Sequence, residues 1–252
     1  MVMRVRDLSF SYADRSILQN IDLTIEANAF TVVLGKNGSG KSTLFRLLTG
    51  FLKPQSGEIT IMGTPIGKMN DRKRAHLLGF LPQHHRPVFP FRVEDVVLTG
   101  RVSHTWLSPG KEDYNQVRKA MERIGIEHLK GRTFTELSGG EQQLVMIARI
   151  LAQNPRIILF DEPTSHLDFF YQAKVLNIIR DLVRQNYTVM AILHDPNIAA
   201  LYGDRFICLK HGKILSQIEP CHLNAQLLEE VYEMPLKAMF FKDKMIVLPT
   251  GK

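Results

Sequence analysis

Phe30-Thr31-Val32-Val33-Leu34 is an apolar, β-branched run that stops at Gly35-Lys36-Asn37-Gly38-Ser39-Gly40-Lys41-Ser42, after which Ser42 to Leu48 has helical spacing. Strand, glycine-rich loop and helix together form a phosphate-binding unit. The glycines let backbone N–H groups wrap phosphate oxygens at a helix N-terminus. Lys41 supplies a cation for the β- and γ-phosphates. Ser42 supplies the hydroxyl that Mg²⁺ requires, because this small hard cation takes oxygen ligands and a phosphate bridge. Gly35, Asn37, Gly38, Ser39, Gly40, Lys41, Ser42 and Thr43 are therefore candidate nucleotide-binding residues. A plain helix-entry loop is the rival reading, and the strand before it argues against that.

On the N-terminal side, Leu8, Phe10 and Tyr12 share one face at period two, as do Ile21, Leu23 and Ile25, which predicts an antiparallel β subdomain. On the C-terminal side come a strand at Glu58 to Met62 and another at Gly79 to Pro82, leading to Gln83. Helical spacing then takes over at Val93 to Leu98, Tyr114 to Ile124 and Gln142 to Ala152, broken by Gly125, Gly131 and Gly139-Gly140. Strand signals return at Ile157 to Phe160 and Thr188 to Leu193, each followed by a helical stretch, as in a parallel sheet. A hairpin turning at His211-Gly212 is expected over 204 to 218, and Asn224 can cap a helix ending near Glu233. The remaining tail carries no readable period.

Two further segments carry chemistry. Ile157-Ile158-Leu159-Phe160-Asp161-Glu162 is a buried-strand pattern delivering two carboxylates to a sheet's C-terminal edge, with Asp161 placed to hold Mg²⁺ through water and Glu162 to polarise an attacking water. By itself that pattern is weak, since strands often end in acidic loops. Leu137-Ser138-Gly139-Gly140-Glu141 opens the helix at Gln142 with a Ser and two glycines, a second anion-binding helix end with no strand before it.

With these motifs in this order and spacing, the chain resembles the ATP-binding-cassette family over essentially its full length. The resemblance implies an α/β P-loop NTPase fold with an antiparallel β subdomain, a RecA-like core and an inserted helical subdomain. It implies one domain, 1–252, with the helical part at about 87–156 and a C-terminal extension at about 219–252. It makes Tyr12 the aromatic that stacks on adenine, Gln83 the Q-loop glutamine that reaches Mg²⁺ and the hydrolytic water, and Ser165-His166-Leu167-Asp168 the D-loop, with His166 in place of the commoner alanine. His194 resembles the switch histidine on the γ-phosphate. The remaining histidines, His84-His85 included, lack metal-ligand spacing. Ser138, Gly139 and Gly140 then close on the ATP of a second copy, so the resemblance implies a head-to-tail homodimer. Departures are modest: Glu141 stands where Gln is commonest, and Gln142 and Leu144 where arginine is frequent.

Composition bounds the setting. At 252 residues the chain can bury about three quarters of its unfolded surface without disulfides. Cys208 and Cys221 have no framework or metal spacing, which fits a reducing cytosol. No apolar stretch approaches a bilayer span, and MVMRVRDLSF alternates instead of forming a signal-peptide core, so the chain is expected to be neither exported nor membrane-spanning. The net charge of +7 suits nucleotide, nucleic acid or an anionic membrane surface without choosing among them, and Arg72-Lys73-Arg74 reads as solvated surface.

The stretch Val88 to Arg101, with the Gln142-Gln143-Leu144 variant and the tail Leu227-Leu228-Glu229-Glu230-Val231-Tyr232, resembles cassettes of importers for iron-siderophore, haem, cobalamin or related metal complexes. That implies permease subunits as direct partners, a substrate-binding protein as an indirect one, and a peripheral place on the cytoplasmic face of the membrane. Gln83 to Arg101 is the expected docking face, to be tested by charge reversal at Glu94 or Arg101. The alternative is a soluble cassette ATPase acting on nucleic acid or ribosomes. Such relatives usually fuse two cassettes or carry long coiled coils, whereas this chain has one cassette and no sustained heptads, so no nucleic-acid partner is expected.

Overall fold

The computed structural model describes residues 1–83, 90–105, 108–241 and 244–250. His84-His85 and Val88-Phe89, named above, lie outside them. In chain order the elements are β1 (Met3–Tyr12), β2 (Arg15–Ile25), β3 (Phe30–Leu34), α1 (Lys41–Leu48), β4 (Ser56–Ile61), β5 (Thr64–Pro65), α2 (Asp71–Leu77), β6 (Leu78–Leu81), α3 (Val93–Leu98) and α4 (Lys111–Ile124). There follow α5 (Gly139–Ala152), β7 (Ile157–Asp161), α6 (Phe169–Arg184), β8 (Thr188–Ile192), α7 (Pro196–Tyr202), β9 (Arg205–Lys210), β10 (Lys213–Ile218), α8 (Ala225–Tyr232), β11 (Leu236–Phe241) and β12 (Lys244–Pro249). The chain divides into two compact units, Met1–Met69 with Leu182–Lys252, and Asn70–Asp181.

In the first unit, β2-β1-β4-β5 form an antiparallel sheet. The period-two pattern buries Leu8, Leu18, Ile21, Leu23 and Ile25, while Tyr12, at the end of β1, remains 41% exposed. Register shifts along β1 loosen the alternation there. A second sheet orders β10-β9-β3-β8, with β3 parallel to both β8 and β9. All five residues of β3 and all five of β8 are buried, the continuous apolar signature of a strand covered on both faces. The β9–β10 hairpin turns at His211 and Gly212, both at positive φ, as a two-residue turn requires. The tail folds as a β11–β12 hairpin.

In the second unit, β6 and β7 pair in parallel, α3 and α4 pack on α5, and Val93, Val97, Val117, Met121, Val145 and Ile147 on these helices are buried. Gly100 is required by close approach: a Cβ there would lie 2.1 Å from the Arg149 carbonyl oxygen. The helix α2 has no buried residue, so it leaves no apolar period in the sequence. Its local signal is the Asn70 side chain, which accepts from the Lys73 N–H at 2.8 Å.

The two charges chosen to test docking turn out to be internal supports. Arg101 is buried, donating from Nε to Asp113 Oδ1 at 2.9 Å and from Nη1 to the Ala152 carbonyl at 2.9 Å. Glu94 accepts from the Gly131 N–H at 2.6 Å. Reversing either charge removes a bond inside the helical unit, so these variants perturb folding as well as any docking surface.

The Arg101–Asp113 pair makes a stability prediction. The Gly110 N–H, followed by Arg101, holds the Asp113 carboxyl below the usual carboxylate range. Its folded pKa is depressed, so its contribution is whole above the unfolded value of about 4 and is lost as pH falls through the folded one. Asp113→Ala strands the buried guanidinium and is expected to cost about 3 kcal/mol at pH 7 in urea unfolding, with the difference from wild type shrinking in acid.

Candidate functional site

The phosphate-binding loop sits in the first unit between β3 and α1. A side chain at Gly35 would bring its Cβ to 2.4 Å from the Leu209 carbonyl oxygen, and Gly40, the N-cap of α1, has φ +105. Among the described residues no side chain caps α1, so the positive end of the helix faces the loop. Lys41 is 5% exposed, and its ammonium donates to the carbonyls of Gly35 at 2.7 Å and Lys36 at 2.9 Å. Ser39 Oγ is buried and has no hydrogen-bond partner among the described residues. A fixed ammonium, the positive end of a helix and an orphaned hydroxyl are the donor set a polyphosphate takes. Asn37 and Gly38 are exposed on the loop, and Ser42 and Thr43 are half-buried in the first turn of α1.

Two other candidates belong to the same unit. Tyr12 meets Phe10 edge to face with ring centroids 4.8 Å apart, and the residue stays partly exposed. His194 is exposed just beyond β8, and its carbonyl accepts from Tyr232 Oη at 3.2 Å. Burial pushes the Tyr232 hydroxyl pKa upward, which keeps it a donor.

The second unit holds the remaining candidates. Asp161 ends β7 and is buried. Glu162 follows at φ +56, a left-handed conformation that a residue with a Cβ rarely adopts. Its Oε2 accepts from Gln83 Nε2 at 2.5 Å and from Ser165 Oγ at 3.0 Å. The structure thus brings together the expected Q-loop glutamine, the second carboxylate and the D-loop serine. His166 is exposed at φ +63.

Ser138 caps α5, with Gly139 and Gly140 as its first residues. Glu141, noted only as a departure, closes a capping box. It accepts from the Ser138 N–H at 2.9 Å and from Ser138 Oγ at 2.9 Å, and the Ser138 N–H holds its carboxyl below the usual carboxylate range. The Ser-Gly-Gly-Glu spacing is that motif's own signal. Gln143 donates to the Pro163 carbonyl at 2.7 Å, tying α5 to the segment after Glu162. The contacts of Ser165 and Tyr232 had no sequence signal, because the first is local only through a turn and the second joins residues 38 positions apart in sequence.

A family model for the ABC transporter matches residues 18–165. The probable iron chelatin transport ATP-binding protein of Helicobacter pylori strain J99 is 34% identical over 252 residues, covering 98% of this chain and 99% of that one. The hemin import ATP-binding protein HmuV of Thermobifida fusca is 37% identical over 233 residues, covering 92% and 82%. A solved structure described as an inward-facing conformation of a metal-chelate type ABC transporter superposes with a TM-score of 0.88 at 31% identity, covering 99% of this chain and 97% of that one. A P-loop NTPase fold, a phosphate loop of the required chemistry and full-length kinship agree: this chain belongs to the ABC transporter family, as an ATP-binding subunit.

Proposed function

We propose that the chain is the ATP-hydrolysing motor of a membrane importer for an iron complex, haem, cobalamin or a related metal chelate. The observation that carries the hydrolytic part is the Glu162 carboxylate, fixed by Gln83 and Ser165 one residue past the buried Asp161. The transport part is supported by the relatives, whose names specify iron chelatin transport and hemin import.

On this reading Lys41 and the amides of Gly35, Asn37, Gly38, Ser39, Gly40, Ser42 and Thr43 bind the phosphates of ATP, and Tyr12 stacks on the adenine. Ser42, Gln83 and Asp161 would hold Mg²⁺, which would neutralise phosphate charge; one carboxylate with neutral oxygens and phosphate suits this ion. Glu162 takes the proton of the attacking water, and His194 steadies the γ-phosphate. Ser138, Gly139 and Gly140 of a second copy complete the site, so the working unit is a homodimer. Residues 1–252 act as one ABC ATPase domain, with a helical part at about 87–156 and an extension at about 219–252.

The dimer works beneath permease subunits on the cytoplasmic face of the membrane, with a substrate-binding protein as a more distant partner and no role for nucleic acid. Among the described residues no helix is long and apolar enough to cross a membrane. Within the helical unit a cleft of about 440 Å³ is lined by Asp71, Arg72, Ala75, Thr99, Val102 and Gln153. It is the proposed seat of a cytoplasmic permease helix: Val102, 73% exposed on its rim, offers an apolar contact beside Asp71 and Arg72.

Uptake assays test both points. A strain lacking this gene should lose import of one labelled chelate among ferric siderophore, haem and cobalamin. Wild type should restore it and Glu162→Gln should not. Val102→Glu should lower uptake while leaving the free subunit's ATPase intact. Unchanged uptake of all three in the deletion strain would rule out those three substrates.

A further inference from the structure

Helix α8 ends at Tyr232, and the next residue, Glu233, adopts φ 54, ψ 45. That left-handed position closes many helices and is normally glycine, because a Cβ is disfavoured there. The Glu233 carboxylate accepts from Lys36 Nζ at 2.7 Å and pairs with His211 Nε2 at 2.6 Å, with Lys210 Nζ 3.9 Å away. Lys36 is a phosphate-loop residue whose own carbonyl accepts from the Lys41 ammonium at 2.9 Å. His211 belongs to the β9–β10 turn, and the next residue, Gly212, donates its N–H to the Ser39 carbonyl at 3.2 Å. The groups surround a small cleft of about 140 Å³ with Asn37, Gly38 and Val231. The adjacent residue, Tyr232, donates to the His194 carbonyl at 3.2 Å. Two consecutive side chains from the end of one helix therefore reach the phosphate loop and the segment after β8, all within one unit.

We infer that Tyr232 and Glu233 are positioning residues for ATP hydrolysis: Glu233 sets the phosphate loop through Lys36 and the β9–β10 turn, and Tyr232 sets the backbone of His194. The inference rests on the proposed roles of Lys41 and His194. A residue held in an unfavoured conformation by side-chain bonds to a functional loop points to a role beyond capping, since glycine would cap better. Each side chain acts through the residue it holds.

The test uses the purified full chain. Glu233→Gly removes the carboxylate while suiting the left-handed backbone, so the melting temperature should stay level or rise. KM for ATP should rise about two- to five-fold, the range an exposed charge pair supplies, with kcat kept. The KM ratio between variant and wild type should approach one in about 1 M salt, where the pair is screened. Glu233→Asn, which also tolerates this backbone, should reproduce the effect without the charge. Tyr232→Phe keeps the ring and should instead lower kcat about two- to ten-fold with KM kept, as loss of one hydrogen bond implies. Wild-type KM in both Glu233 variants overturns the role of Glu233, and wild-type kcat in Tyr232→Phe overturns that of Tyr232. Lys41→Ala separates the levels: if it binds ATP normally the underlying assignment fails, whereas if it does not and the other variants behave as wild type, only the positioning role fails.

Discussion

Glu162→Gln is expected to bind Mg-ATP as wild type does and to hydrolyse it about 10²–10⁴-fold more slowly, the usual cost of losing a positioned general base. The substitution keeps the shape of the side chain and an oxygen for Ser165 Oγ, which lies 3.0 Å from Glu162 Oε2 in the native protein. It removes the charge that a water proton needs. Asp161, buried at the end of β7, is on the proposed reading committed to the metal, so no second carboxylate from this strand can substitute. With binding intact and turnover blocked, ATP-bound dimers should accumulate. Size-exclusion chromatography in Mg-ATP should show a doubled mass relative to the nucleotide-free protein. Hydrolysis at the wild-type rate would remove Glu162 from the mechanism.

Lys41→Ala should fail one step earlier, at binding. The native ammonium is buried and held over the loop by the Gly35 and Lys36 carbonyls, so it meets the phosphates without a large ordering cost. Its loss removes charge-assisted bonds to two phosphates and leaves two loop carbonyls without their donor. Affinity for ATP is expected to fall by about 10²-fold or more, since each bond to a charged group contributes about 1.5–3 kcal/mol. Isothermal titration calorimetry reads this directly, and equal affinities would contradict the assignment.

The fold was most legible where burial writes a period into the chain. The strand Phe30 to Leu34 and the helices at Val93, Tyr114 and Gln142 were expected close to where β3, α3, α4 and α5 lie, because each buries a clear apolar face. The cap at Asn224 and the turn at His211-Gly212 were legible from local chemistry alone. Helix α2 was not, since none of its residues is buried. Nor was the β11–β12 hairpin, where Met239, Phe240 and Leu248 stay substantially exposed and blur the in-out alternation. For the site, the motifs named Gln83 and Glu162 separately, but their contact spans 79 positions in sequence and only the fold reveals it. Arg101 shows the opposite failure: a charged residue in an apparently exposed helical segment is a buried structural cation, because Gly100 brings its backbone close enough to α5 for its guanidinium to reach the Ala152 carbonyl.

On the proposed reading the hydrolytic site is shared between two copies, the phosphate loop of one closing on Ser138 of the other. Phosphate release by a mixture of Lys41→Ala and Ser138→Arg subunits tests it most directly. Each variant alone carries a defect in both sites of its homodimer and should be inactive. A mixed dimer concentrates both defects in one site and leaves the other intact, so mixing should recover ATPase activity that neither variant shows. A mixture as inactive as its components would contradict head-to-tail pairing.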